Sequence, residues 1–366
     1  DVAVAGKFAD YKALGAVGST SLLVSLFIGF LLGMGNGVNV CAARRLGAGD
    51  ERGTERTVCS SFMMCFLIGI IVGLLCFGFS RPLLELLNTK DEFIDGAELY
   101  LKIYSLGMPA MGIFNFGNGV LSACGETKRP LTGVLNVILN LFFVIVCGKA
   151  ADGVAIASVI AEYLSAFLIV RHLVTRRDSC RLRFSRSYID AGCCRNVLML
   201  GIPSGIQSAI FAVANLFVQS GVNSFDAMLV SGNSAAANAD TLIYNVMAAF
   251  YLGCSSFVSR NLGAGEYGRV KKSCIVGLVY SFAVGALLGG LLLIFGREFL
   301  SVFANEPEVI DCGMERIRIM GWSYAISALM DCPIAASRGI GKTVVPTVIV
   351  IIGSCVFRAA GAYTVF

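Results

Sequence analysis

Glu162, Asp331 and Arg358 are ionisable residues standing inside apolar stretches of the chain. A charge in a run long enough to cross a bilayer is costly, so by default it marks an ion or substrate path. Glu162 lies about nine residues from either end of its stretch, near the midplane at about 1.5 Å per residue. A carboxylate taken out of water there suits reversible binding of a proton or sodium; its bland reading is a hydrogen bond to a neighbouring helix. Asp331 lies nearer one end of its stretch, and Arg358, on the next, has a side chain long enough to reach it. That pair reads first as a structural ion pair and second as a cation or substrate site.

Polar residues also recur at helical spacing: Gln207, Asn215 and Gln219; Thr132, Asn136 and Asn140; Ser323, Ser327 and Asp331. Each set lines one helix face, and in lipid such a face must turn inward. Singly, each reads as glue between helices; together they argue for a hydrated cavity. Asn136 and Asn140 join Glu162 and Asp331 as candidates for ion coupling. Gln207, Asn215, Gln219, Asn115, Asn118 and Ser327 are the candidates for a substrate cleft.

Other chemistries are poorly supplied. His172 is the single histidine, so a multi-histidine metal site and a Ser-His-Asp triad are excluded. Gly339-Ile340-Gly341-Lys342-Thr343 resembles the end of a phosphate-binding loop, but Ala336 occupies the place of its first glycine and no strand precedes it. Gly33-Met34-Gly35-Asn36-Gly37 lacks the strand and spacing of a dinucleotide motif and reads as small residues for close helix packing. The 14 cysteines include no C-x-x-C pair; most, such as Cys41, Cys65, Cys76, Cys147, Cys254 and Cys355, lie in or beside apolar stretches and read as small core residues. We expect no catalytic residues, no cofactor and no metal beyond sodium.

The elements that position these residues follow from composition. With 56% hydrophobic and 14% charged residues and a mean hydropathy of +0.77, the chain reads as an all-α integral membrane protein. Ten apolar stretches fall at about 13–43, 57–79, 97–123, 131–147, 153–170, 197–221, 237–259, 273–295, 312–336 and 344–366. Residues 1–12 read as a loop, and no signal peptide is expected. Leu46-Gly47-Ala48-Gly49-Asp50 returns as Leu262-Gly263-Ala264-Gly265-Glu266, and the same offset carries Arg81 onto Arg297, Asp95 onto Asp311, Gly125 onto Gly341 and Pro130 onto Pro346. The chain is therefore read as two related bundles of six-helix type in parallel repeat. Ten helices of an expected twelve are present, the first and last lying outside the chain. The expected organisation is an N-terminal lobe at 1–178, a basic linker at 179–195 and a C-terminal lobe at 196–366. Lysine and arginine gather in alternate loops, including both LGAG turns and the linker, which places those loops in the cytoplasm. The net charge of +5 thus reports topology, and no nucleic-acid partner is expected. The LGAG copies read as helix caps, with a hinge as the lesser reading.

Several of these motifs together resemble the multidrug and toxic compound extrusion transporters: "ARRLGAGD", "VSRNLGAGE", "GETKRP", "SRGIGKTVVP" and "GIPSGIQ", with "VNSF" pointing to the bacterial branch. The resemblance runs over nearly the whole chain. It implies two six-helix lobes around a central cleft, in a multi-pass protein of the plasma membrane acting as a monomer. It also implies alternating access and export of organic cations, drugs or other toxic compounds in exchange for protons or sodium. Where some branches carry acidic residues, this chain has Phe211 and Ser327, and Glu162 stands where glutamine is frequent. The alternatives are a flippase for lipid-linked saccharides of the same superfamily, which calls for a cationic cleft, and a non-transporting membrane protein.

Overall fold

The computed structural model describes residues 11–87, 89, 91–126, 132–146, 151–222, 225–301 and 306–357; among them the fold is helical, without strands. The first bundle holds α1 (Tyr11–Gly47), α2 (Glu51–Leu86), α3 (Asp91–Ser105), α4 (Met108–Cys124), α5 (Thr132–Leu141, followed by a π-turn at Phe142–Val146) and α6 (Ala151–Thr175). After a 3-10 turn at Arg186–Tyr188 come α7 (Ala191–Val222), α8 (Ala227–Gly263), α9 (Tyr267–Leu300), α10 (Pro307–Gly339) and α11 (Val344–Val350, followed by a π-turn at Ile351–Val356). In lipid a chain this apolar must satisfy its backbone internally, and helices do so within each segment. Parts of α1, α2, α6, α7, α8 and α9 are long and apolar enough to cross a membrane. The described parts of the ten expected stretches are helical except for a turn at Leu106 and Gly107, which divides the third between α3 and α4.

The duplication is visible in the backbone. After α1, Gly49 has φ +68°, and after α8, Gly265 has φ +73°. Around both, the same bonds recur: Asp50 N–H to Arg45 C=O (3.1 Å) and Glu266 N–H to Asn261 C=O (3.0 Å). These are left-handed helix caps, a conformation that favours glycine. Gly125 and Gly341, the second matched pair, are alike at +80° and +86°. The stretch that resembles a phosphate loop is thus the cap of α10. At the opposite ends of the helices Arg81 pairs with Asp95 at 3.4 Å, and Arg297 pairs with Asp311. Exposed pairs of this kind add little stability, but their recurrence marks the register.

The chain folds as two compact units, Asp1–Ala212 and Val213–Phe366. In the first, α1 packs on α4, α2 and α3, and α6 packs on α3, α4 and α5. In the second, α8, α9 and α10 pack on one another as α1, α2 and α4 do. The start of α7, up to Ala212, belongs to the first unit, where Gly37 on α1 meets Gly201; a Cβ on Gly37 would come within 2.7 Å of the Gly201 nitrogen. The small residues of the glycine-rich stretch in α1 therefore serve helix packing.

A second pair of glycine contacts repeats across the units. On α2, a Cβ at Gly69 would lie 2.8 Å from Met108 O and one at Gly73 2.8 Å from Ser105 O; on α9, Gly285 lies as closely against Tyr324 O, and Gly289 against Gly321 O. We expect Gly69→Val to destabilise the protein by about 1–3 kcal/mol through overpacking, read as a fall in thermal midpoint in detergent. Gly78→Ala, on the same helix with nothing within 4 Å of the added methyl, is the control and is expected not to lower it. Outer faces carry exposed Leu67, Ile71 and Leu74 on α2 and Ile275, Val279 and Leu287 on α9, the inverse of a water-soluble surface.

Candidate functional site

The division of the third stretch has a local cause. Pro109 has no N–H to return to Ser105, and Gly107 caps α4. The chain tightens instead, with Leu106 N–H to Ile103 C=O at 3.1 Å and Gly107 N–H to Tyr104 C=O at 2.9 Å. At the equivalent place the second unit has Ser323 and Ala325, and α10 runs through unbroken.

Two consecutive residues of α6 engage this break. Tyr163 donates its hydroxyl to the Leu106 carbonyl at 3.0 Å. Glu162 lays its carboxylate against Gly107, at the place a Cβ there would fill. Tyr104 and Tyr100 both lie close enough to that carboxylate to feel its charge. Glu162 Oε2 is buried and has no hydrogen-bond partner.

The amide stripe of α5 runs along the same face of α6. Asn140 Nδ2 donates to Asn136 Oδ1 at 3.0 Å, and Asn136 Nδ2 donates to Ser158 Oγ at 3.4 Å. Ser158 and Glu162 are one helical turn apart, hence neighbours. The structure thus links Asn136 and Asn140 to α6 at Ser158, one helical turn from Glu162, and adds Tyr104, Ser158 and the Gly107 break, which the sequence did not single out. A buried, unpartnered carboxylate oxygen near a tyrosine hydroxyl is suited to a proton or a hard cation.

The second unit carries a different polar seam, between α8 and α10. Arg316 Nη2 pairs with Asp240 Oδ2, Arg316 Nη1 bonds Asn233 Oδ1, and the Tyr324 hydroxyl donates to Asp240 Oδ1. Further along, the Tyr251 hydroxyl is buried without a hydrogen-bond partner, close to Ser327 and Asp331. Asp331 is half-buried, with Tyr244, Tyr251 and Arg338 as its electrostatic neighbours. Among the described residues no ion pair to Asp331 falls within 4.0 Å; the expected partner Arg358 lies outside them. Neither Asp240 nor Arg316 was a candidate from sequence. The rule that flagged Glu162, a charge inside an apolar stretch, applies equally to both.

The remaining cleft candidates are scattered. Gln207 is buried in the first unit, whereas Asn215 and Gln219 belong to the second and are exposed and half-buried. Asn115 is buried on α4 against Gly35, its amide donating to Met111 C=O at 3.0 Å. Asn118 is half-buried on the same helix. Ser327 donates to the Tyr324 carbonyl at 2.8 Å. Of the cysteines read as core residues, Cys65, Cys76 and Cys254 are buried and Cys41 is half-buried; Cys147 lies outside the described residues, and nothing is described of the Cys355 side chain.

Paired helical units with apolar outer faces and charges inside define a multi-pass membrane protein built by duplication. The MatE family profile matches residues 1–148 and 203–364, and the chain belongs to the MatE family, whose members are transporters, not enzymes. The probable multidrug resistance protein YoeA of Bacillus subtilis is 24% identical over 356 residues, covering 94% of this chain and 77% of the relative. The FAD transporter of Shewanella oneidensis is 23% identical over 317 residues, covering 82% and 68%. Among solved structures, a multidrug resistance MATE family transporter of the MOP superfamily in its outward-facing conformation superposes with a TM-score of 0.91 at 18% identity, covering 99% of this chain and 83% of the other. At that identity the superposition speaks for the fold.

Proposed function

We propose that the protein, acting as a monomer, exports small amphipathic or cationic compounds by alternating access, in exchange for protons or sodium bound at Glu162. The observation that carries this reading is the buried Glu162 carboxylate, with one oxygen unpartnered, lodged in a helix break one turn of α6 from Ser158, which the Asn136 amide meets. Ion binding there favours one arrangement of the protein and substrate favours another, so coupling arises from differential affinity. Asp331 and Ser327, on the seam of the second unit, are the next candidates to face ion or substrate.

The test is transport in proteoliposomes under imposed proton or sodium gradients. The panel contains cationic dyes and, because one relative is a FAD transporter, a flavin nucleotide. Gradient-driven dye movement in the efflux direction supports the reading. Movement that ignores both gradients, or of the flavin nucleotide alone, overturns the coupling or the substrate class respectively.

A further inference from the structure

A cluster outside the proposed transport site holds two thiols in contact. Cys124 ends α4, Cys180 lies in the linker after α6, and their sulfurs lie 2.7 Å apart. That is a short motion from a sulfur–sulfur bond of about 2.05 Å. The linker is folded back to make this contact, with Leu182 N–H bonded to Leu173 C=O at 3.0 Å. Arg176 is clamped beside the pair: Nη1 lies 2.9 Å from Glu126 Oε1, and Nε donates to Asp178 Oδ1 at 2.9 Å. Asp178 Oδ1 also accepts from the Cys180 N–H at 3.2 Å. His172, the single histidine, completes the cluster against Glu126 at 3.1 Å.

We propose that Cys124 and Cys180 are a peroxide-responsive dithiol that closes to a disulfide and fastens the linker to the end of α4. Their unequal settings give each a role. Cys124 is half-buried and reachable from water, whereas Cys180 is 1% exposed. Contact with the Cys180 thiol holds the Cys124 thiol below its ordinary value against the effect of burial, with the Arg176 guanidinium adding to it. The same contact and burial push Cys180 up. Cys124 is therefore the attacking thiolate and Cys180 the resolving thiol.

In the first step the Cys124 sulfur attacks hydrogen peroxide. A sulfur–oxygen bond forms, the oxygen–oxygen bond breaks, and the leaving hydroxide takes up a proton to become water. In the second, the Cys180 sulfur attacks the sulfenic sulfur of Cys124; the disulfide forms, hydroxide leaves, and the Cys180 proton makes a second water. The two thiols supply the two electrons that reduce the peroxide. A cytosolic thiol reductant reverses the bond by exchange. The covalent ring encloses α5 and α6, the helices that carry Asn136, Asn140 and Glu162. The dithiol chemistry stands on the fold alone and does not depend on the proposed coupling site.

The experiment uses the full chain in membranes, reduced and then titrated with hydrogen peroxide, with disulfides mapped by mass spectrometry of an unreduced digest. The Cys124–Cys180 linkage is expected to exceed any other cysteine pairing by about tenfold, and to disappear on reduction. In Cys180→Ser, Cys124 is expected to accumulate as a sulfenic acid trapped by dimedone; in Cys124→Ser, Cys180 is expected to stay reduced. Alkylation of the native wild-type protein gives a measure independent of the variants: Cys124 labelling falls as peroxide is added. Random pairing overturns the proposal, as does oxidation of other cysteines while Cys124 and Cys180 remain thiols.

Discussion

Glu162→Gln is expected to leave the protein folded while lowering gradient-driven export at least about tenfold and flattening its dependence on pH. The glutamine has the shape of the acid and keeps an oxygen at the same place, so the packing at Gly107 survives. What it removes is the site's ability to gain and lose charge. A ligand shifts a two-state equilibrium only by its differential affinity, and a group that no longer binds the ion contributes none. Gly107→Ala tests the same site without touching its charge, because the added methyl occupies the position of Glu162 Oε2 and must displace the carboxylate. It is expected to impair coupled export in the same direction. Export by Glu162→Gln that keeps its full rate and its response to pH would remove Glu162 from the mechanism.

Asp240→Asn is expected to lower stability by about 2–3 kcal/mol, as a drop in thermal midpoint in detergent. The loss comes less from the missing attraction than from the guanidinium of Arg316 left without its counter-charge. Arg316 already has an Nε that is buried and without a partner, so it has no spare acceptor nearby to turn to. With side chains 28% and 24% exposed, the pair is partly screened, which holds the effect below that of a fully enclosed one. The double variant Asp240→Asn with Arg316→Met is expected to recover at least about half of the loss, since no unpaired charge then remains. Additive losses in the two single variants and the double would show that the two side chains do not act as a pair.

The duplicated architecture was legible because glycines and prolines at matched offsets mark backbone events that do not depend on neighbours. Among the described residues the four left-handed glycines fall in the two pairs that the offset predicts. The site was less legible, for two physical reasons. Spacing tells which residues share a face, but not what that face meets: Gln207 and Asn215 sit on one stripe, yet one is buried and the other exposed. Proline alone does not announce a break either. Pro82, Pro203 and Pro333 all lie inside continuous helices, whereas at Pro109 the neighbouring Gly107 and two side chains from α6 take up the interruption. The Asp240–Arg316 contact joins residues far apart in the chain, and helical periodicity cannot rank such partners.

The paired glycines of α2 and α9 bear on how each unit behaves in different membranes. Between helices in a bilayer the hydrophobic effect offers little reason to associate, because lipid tails are as apolar as the helix surface. Where backbones touch through glycine, cohesion comes from many short-range dispersion contacts, which respond to volume rather than to solvent. Each trio of helices is thereby a stiff lever, indifferent to lipid chain length or headgroup and sensitive to a single methyl group. Adaptation to a new bilayer can proceed through the exposed leucines and isoleucines of the outer faces, leaving the glycine seams untouched.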